Sequence, residues 1–125
     1  MPFITEVRMD LTARETVDMI CKALAEKKAT DIKIIEVATL TDVADYFVIC
    51  SGKSNPQVQA IFDNLEARME EAEIFCRHKD GYKDAKWIAM DYGNVIVHIF
   101  HNTTREFYQL DKLWNSGNNV ISYEE

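Results

Sequence analysis

The chain has little of several residue types, and each shortage excludes a class of protein. It has four glycines and two prolines in 125 residues, and 47% of its residues are hydrophobic, which favours a compact fold over disorder. Its three cysteines are widely spaced in apolar segments, which favours buried reduced thiols over a disulfide framework. No apolar run approaches the roughly 20 residues that span a bilayer, so we expect no membrane partner.

Positive charge is also scarce. The chain has 14 Lys and Arg against 21 Asp and Glu, a net charge of −7. Affinity for nucleic acid comes largely from cations that neutralise phosphates, so we expect little direct nucleic-acid binding. An acidic protein attracts basic partners, although acidity that only keeps the chain in solution is the alternative interpretation. The N-terminus has neither signal-peptide nor transit-peptide character, which predicts a cytoplasmic protein.

Three capping boxes predict helix starts. In each, a Ser or Thr is followed three residues later by Glu or Gln, and the pair satisfies free N–H groups at a helix N-terminus. The pairs are Thr12 with Glu15, Ser54 with Gln57, and Thr103 with Glu106. Apolar residues at helical spacing predict a helix over 12–27 and a second from Ser54 to Met69. The third box opens a short helix that continues to Trp114.

Apolar and β-branched runs predict the strands. They lie at 31–37, 45–51, 73–78, 86–90 and 95–101. The expected fold class is α/β, with a single mixed β-sheet of about five strands flanked by helices. We expect a flexible leader at 1–11, one folded domain at 12–116 and an acidic tail at 117–125.

The segment 86–114 is the densest in aromatic and polar side chains. It contains two apolar strands joined by the turn Asp91–Asn94, followed by an aromatic helix. Leaving a large apolar side chain exposed costs about 1.5–3 kcal/mol, so an ordinary surface would not collect so many of them. The pattern indicates a recognition face around a hairpin.

Gly52–Ser54 follows a strand and precedes a helix, the position of a phosphate-binding loop. A P-loop also needs a glycine five residues before Gly52, where this chain has Phe47. We therefore interpret Gly52 as a turn residue and Ser54 as a helix cap. Weak anion binding at the helix start stays open, because free N–H groups point outward there.

No catalytic or metal-binding constellation is recognisable. Cys76 and His78 share a strand face, but two ligands do not hold zinc. His98 shares its strand face with Ile96 and Phe100, which favours a core or hydrogen-bonded histidine. The strands carry no closely paired carboxylates for a two-metal site. We therefore predict a protein without catalytic residues, metal or cofactor.

The sequence resembles the ribosomal silencing factor family, also called the Iojap family. One matching segment is Thr41–Gln59, with an Asp-Tyr-Phe-Val-Ile strand that leads into Ser-Gly-x-Ser and a helix. The other is Trp87–Trp114, with Trp-x-x-x-Asp-Tyr-Gly-x-Val-x-Val-His-x-Phe and Arg-x-Phe-Tyr-x-Leu-x-x-Leu-Trp. The chain departs from the usual family pattern at Asn94, where an acid is common, and at Asp80, where Glu is commoner.

The resemblance implies a translational repressor. Family members bind the large ribosomal subunit through its fourteenth protein, a basic component, and block docking of the small subunit. The implied fold is a degenerate nucleotidyltransferase sheet without its catalytic carboxylates, and free members often form homodimers. Two alternatives remain: a small nucleotidyltransferase-like or phosphate-binding enzyme that uses Gly52–Ser54, and a self-associating scaffold whose aromatic face is its own dimer interface.

The hairpin and the resemblance together give a partner-binding hypothesis. Side-chain alternation places Trp87 and Asp91 on one strand face and Ile88 and Met90 on the other, so one of the two pairs is expected in the core. The predicted contact residues are Trp87, Ile88, Met90, Asp91 and Tyr92, supported by His98, Phe100 and Tyr108.

Overall fold

The computed structural model describes residues 12–124, so the predicted leader at 1–11 lies outside the described residues. Two long helices and two short ones occur in this part of the chain. They are α1 (Ala13–Glu26), α2 (Asn55–Glu71), α3 (Asn102–Tyr108) and α4 (Leu110–Leu113). The predicted helices over 12–27 and from Ser54 are confirmed.

The strands form one mixed sheet, which confirms the predicted fold class. They are β1 (Thr30–Glu36), β2 (Tyr46–Gly52), β3 (His78–Asp80), β4 (Trp87–Asp91), β5 (Val95–His101) and β6 (Val120–Ser122), in the spatial order β3-β4-β5-β2-β1-β6. β2 and β5 are parallel, and the other neighbours are antiparallel.

Two strand predictions need correction. The strand predicted at 73–78 lies at His78–Asp80, because the chain after α2 turns through Glu73 at positive φ before it reaches the sheet. The sheet also has six strands rather than about five, because Val120–Ser122 pairs with β1 across Ile34 and Ile35. This strand lies within the segment predicted to be an acidic tail.

The two faces of the sheet are covered differently. α1 and α2 pack on one face, called here the inner face, and bury the larger hydrophobic core between them and the strands. The opposite, outer face carries a smaller core of Ile35, Val37, Ala44, Phe47, Ile49 and Phe100, against which Leu110, Trp114 and Val120 pack. Among residues 12–124, side chains that point away from the long helices therefore meet short elements.

The three predicted capping boxes have three outcomes. Thr12 and Glu15 make the full reciprocal box. Ser54 Oγ accepts a hydrogen bond from Gln57 N at 3.2 Å. The Gln57 side chain accepts from the N–H of Lys53 instead of the N–H of Ser54, so the box is incomplete.

The third capping box is absent, because the imidazole of His101 caps α3 instead. The single helix predicted to continue to Trp114 is interrupted at Gln109, whose φ of 52° separates α3 from α4.

Candidate partner-binding face

Six rings lie together on the outer face, and we call them the aromatic cluster. The cluster consists of Phe47, Trp87, His98, Phe100, Tyr108 and Trp114. Trp87 is stacked on Phe100 with ring centroids 4.9 Å apart, and it also contacts Tyr108 at 5.0 Å. Phe47 meets both His98 and Trp114 edge to face, at 5.2 and 5.1 Å. The cluster thereby joins β2, β4 and β5 to the segment that follows β5.

His98 makes the polar contact inside this cluster. The indole Nε1 of Trp87 donates a hydrogen bond to His98 Nδ1 at 3.0 Å. Because Nδ1 is the acceptor, the ring proton of the neutral imidazole lies on Nε2. Burial lowers the pKa of His98 to about 4, so the ring is neutral at physiological pH. The prediction of a buried, hydrogen-bonded histidine is confirmed.

The β4–β5 turn is shaped by Asp91. Its Oδ1 accepts from the N–H of Gly93 at 2.7 Å, and Gly93 has a φ of +89°, which favours glycine. A side chain at Gly93 would also meet the Arg77 guanidinium at 3.1 Å. Asp91 keeps part of its surface exposed after this bond, so its carboxylate has a role in the turn and remains accessible to a partner.

A second acid lies near Asp91 on the outer face. Asp80 of β3 is opposite Ala89, and His78 is opposite Asp91, so these four side chains share one face of the sheet. Both β3 residues are exposed. The edge of the outer face at β3 and β4 is therefore partly acidic, next to the aromatic cluster.

Arg105 fixes α3 to the sheet, and the partner hypothesis did not include it. Its guanidinium is buried and donates to the backbone oxygen of Asp31 at 2.7 Å and to Ser51 Oγ at 2.9 Å. It also pairs with Asp111 at 2.6 Å, which lowers the pKa of that carboxyl against the opposing effect of its partial burial. Arg105 thus ties α3 both to the strands and to α4.

The predicted contact residues separate into exposed and buried groups. Trp87 and Asp91 are partly exposed on the outer face, and Tyr108 is 50% exposed. Ile88 and Met90 are fully buried on the inner face, because alternation along β4 turns them toward the long helices. The predicted direct contact through Ile88 and Met90 is therefore wrong, because both are core residues.

Two other predicted residues are also buried. Tyr92 is 8% exposed and packs in the inner core, so the side chain that follows Asp91 turns away from the outer face. Burial raises the pKa of the Tyr92 phenol. Phe100 has no exposed surface and forms the base on which Trp87 stacks.

Two exposed apolar residues were missing from the predicted contact. Phe107 is 80% exposed and Leu113 is 71% exposed, on the short helices beside Tyr108. Phe107 meets Tyr108 edge to face at 5.0 Å, which continues the aromatic surface outward. The sequence signal was present in the family-like Arg-x-Phe-Tyr pattern, but a short helix does not reveal which of two adjacent rings faces water.

The Gly52–Ser54 turn is closed by its own side chains. Gln57 Oε1 accepts a hydrogen bond from Lys53 N at 2.6 Å, and Ser54 Oγ accepts one from Gln57 N. A side chain at Gly52 would approach Val58 Cγ2 to 3.0 Å, so this glycine permits close packing of β2 on α2. The geometry supports the interpretation of a capped turn at this position.

Residues 12–124 lack two other kinds of feature. They contain no group of three or more His, Cys, Asp or Glu placed to hold a metal ion. Over the same residues, no helix combines the length and apolar character needed to cross a membrane.

Comparison with known proteins gives consistent matches. The family model described as "Ribosomal silencing factor during starvation" matches residues 10–125. Ribosomal silencing factor RsfS of Bacillus subtilis is 40% identical over 92 residues, covering 74% of this chain and 78% of that protein. The Mus musculus protein named "Mitochondrial assembly of ribosomal large subunit protein 1" is 35% identical over 108 residues, covering 82% of this chain and 46% of its own length.

A solved structure agrees with the fold. A crystal structure of a protein from Chromobacterium violaceum is similar with a TM-score of 0.81 at 26% identity, covering 83% of this chain and 87% of that chain.

Proposed function

The chain belongs to the ribosomal silencing factor family, and from this membership we propose that it represses translation by binding the large ribosomal subunit. It contacts the basic fourteenth protein of that subunit and occupies the space that the small subunit needs for joining. The block is steric, without catalysis, cofactor or metal. The name of the mouse relative, which refers to large-subunit assembly, supports the choice of subunit.

The observation that carries this proposal is the part of the outer face that residues 12–124 leave uncovered. Ala89, Asp91 and Ile96 lie in strands β4 and β5 inside the sheet, yet each keeps accessible surface. Trp87 beside them is also partly exposed. Sheet faces inside a domain are normally covered, so a partly apolar face that stays accessible is a candidate for protein contact.

Charge favours a basic partner for this face. The chain carries a net charge of −7, and Asp80 and Asp91 contribute carboxylates at the same edge of the outer face. Complementary charge speeds encounter and suppresses wrong partners. On this proposal Trp87 and Tyr108 supply apolar contact, Asp91 supplies charge, and His98 and Phe100 support the aromatic surface. Ile88, Met90 and Tyr92 act only from within the core.

The same proposal covers the remaining properties of the protein. It works in the cytoplasm, makes little direct contact with ribosomal RNA because of its acidity, and forms a homodimer when free. If the dimer uses the outer face, dimerisation and ribosome binding exclude each other. Sedimentation with and without large subunits distinguishes that case from coexistence of the two contacts.

Co-sedimentation with purified large subunits tests the proposal. We expect the protein to pellet with large subunits and not with joined ribosomes. Asp91→Asn retains an oxygen for the Gly93 N–H while it removes the charge, and Asp91→Arg reverses the charge. We expect about a tenfold loss of affinity for the asparagine variant and a larger loss for arginine, the scale of one interfacial charge pair.

Glu70→Arg is the matched control, since this exposed acid lies on α2, on the opposite side of the sheet. It makes the same change in net charge without touching the outer face. Equal losses of affinity for Asp91→Arg and Glu70→Arg would show that the contact does not involve Asp91. Failure of the unmodified protein to pellet with large subunits would refute the proposed function itself.

A further inference from the structure

The contact between Trp87 and His98 has a feature that packing alone does not explain. His98 is 8% exposed, and its Nε2 is buried without a hydrogen-bond partner among the described residues. With Nδ1 occupied by the indole, Nε2 carries the ring proton, so an N–H group is left unsatisfied in the interior. Such a group destabilises a fold, and an apolar side chain would avoid the penalty. His98 is therefore poorly explained as a core-packing residue.

What His98 supplies is a hydrogen-bond acceptor at a fixed place. Trp87 lies on β4 and His98 on β5, one diagonal step apart in the antiparallel register that pairs Ala89 with His98. At 3.0 Å the Nδ1 atom holds the indole N–H toward the buried side of the cluster. Phe100 and Tyr108 contact the indole as neighbouring rings, whereas the hydrogen bond from its N–H goes to His98.

We propose that His98 is a positioning residue for partner recognition: its Nδ1 holds the Trp87 indole N–H inward, so that the exposed part of the ring offers only carbon to the partner. The partner group that rests on Trp87 is accordingly an aliphatic side chain or the alkyl stem of a basic one, not a hydrogen-bond acceptor. The effect of His98 on binding rests on the proposed function. The geometric part, in which His98 orients the Trp87 indole, does not.

The geometric part is tested on the unmodified protein by nuclear magnetic resonance. We expect His98 to be the neutral tautomer with its proton on Nε2, and a scalar coupling between Trp87 Nε1 and His98 Nδ1 across the bond. The chain has two tryptophans, so Trp87→Phe assigns the indole signal by its disappearance. A proton on Nδ1 of His98, or a Trp87 indole N–H that exchanges freely with solvent, would overturn the proposal.

The functional part uses a pair of variants of similar size. Asn at 98 can offer Oδ1 where Nδ1 lies, whereas Leu offers no acceptor and also removes the unsatisfied N–H. We expect His98→Leu to stay folded but to bind large subunits about tenfold more weakly, the scale of one lost hydrogen bond. We expect His98→Asn to restore binding to within about threefold of the unmodified protein.

The outcomes distinguish a failure of the positioning role from a failure of the proposed function. If His98→Leu binds as the unmodified protein does, or if Asn fails to restore binding while both variants keep the same melting temperature, the positioning role is wrong. If the unmodified protein ignores large subunits, the proposed function fails, and the tautomer and the coupling still decide the geometric part. A variant that does not fold leaves the decision to the measurements on the unmodified protein.

Discussion

At the scale of single residues, His98 makes the free energy of unfolding depend on pH. The imidazole is surrounded by Phe47, Trp87 and Phe100, and burial alone lowers its pKa from 6.5 to about 4. At a pH below 6.5, the ordinary pKa of histidine, His98 binds a proton in the unfolded chain that it does not bind in the folded chain. The free energy of unfolding contributed by this residue is therefore unaffected above about pH 6.5 and falls as the pH drops toward 4.

We predict that the protein loses about 2 kcal/mol of stability between about pH 7 and about pH 5 through this one group. The measurement is denaturant-induced unfolding at both pH values. Carboxylates also titrate in this range, so His98→Leu is the comparison that isolates the histidine, and its stability should change less. Identical pH dependence in the two proteins would show that His98 is accessible to protons in the folded state.

Alternation along β4 shows what single-residue reasoning predicts and what it cannot. It predicted that Trp87 and Asp91 face one way and Ile88 and Met90 the other, and the structure agrees. Which face would be the core depended on where the long helices pack, and the order of the elements does not contain that information. Tyr92 continues the same alternation, and it lies in the inner core with Ile88 and Met90.

At the scale of elements, the chain after β5 is held by buried polar anchors as well as by the packing of Leu110, Trp114 and Val120 on the outer core. α4 buries none of its residues. Asn119 instead donates to the backbone oxygens of Glu36 and Trp114, each at 2.9 Å, and accepts from Ser116 N at 2.8 Å. These bonds bring β6 beside β1 and keep Trp114 over Phe47.

We predict that Asn119→Ala destabilises the protein by about 2 kcal/mol, because it leaves buried backbone groups unsatisfied. It should also weaken the near-ultraviolet circular dichroism of the tryptophans, since Trp114 loses its support. Asn118→Ala is the control, because that side chain is exposed next to the anchor. A loss of stability that is equal in the two variants would contradict the anchoring role.

Elements with strong local signals were predicted and those fixed by distant contacts were not. The box at Thr12 and Glu15 formed as expected because both partners belong to one helical turn. The box at Thr103 did not form because β5 runs directly into α3 and delivers His101 to the capping position. β6 has three residues and is stabilised by pairing with a strand far earlier in the chain, so its own sequence carries little signal.

At the scale of the whole molecule, charge should govern how the protein meets its proposed partner. A net charge of −7 acts over distances comparable to the Debye length, which is about 10 Å at 0.1 M salt. Attraction to a basic protein therefore weakens as salt is added, whereas the apolar contact of Trp87 and Tyr108 does not. Affinity should depend on both contributions in separable ways.

We predict that affinity for large subunits falls several-fold between about 0.1 M and about 0.5 M salt, mainly through slower association. Asp91→Asn should show a shallower dependence, since it has one charge fewer at the contact. Surface-immobilised binding kinetics over a salt series measures both quantities. Affinity that stays constant across the series would show that charge has no part in the contact.

In the part of the chain that the structure describes, the two border strands of the sheet, β3 and β6, are each three residues long. A strand from another molecule that joined either border would gain few backbone hydrogen bonds, since short edges discourage such addition. Copies of the chain are thereby protected from lengthening into fibres, even at high protein concentration. Association between molecules is left to side chains on the broad faces, where it can be reversed.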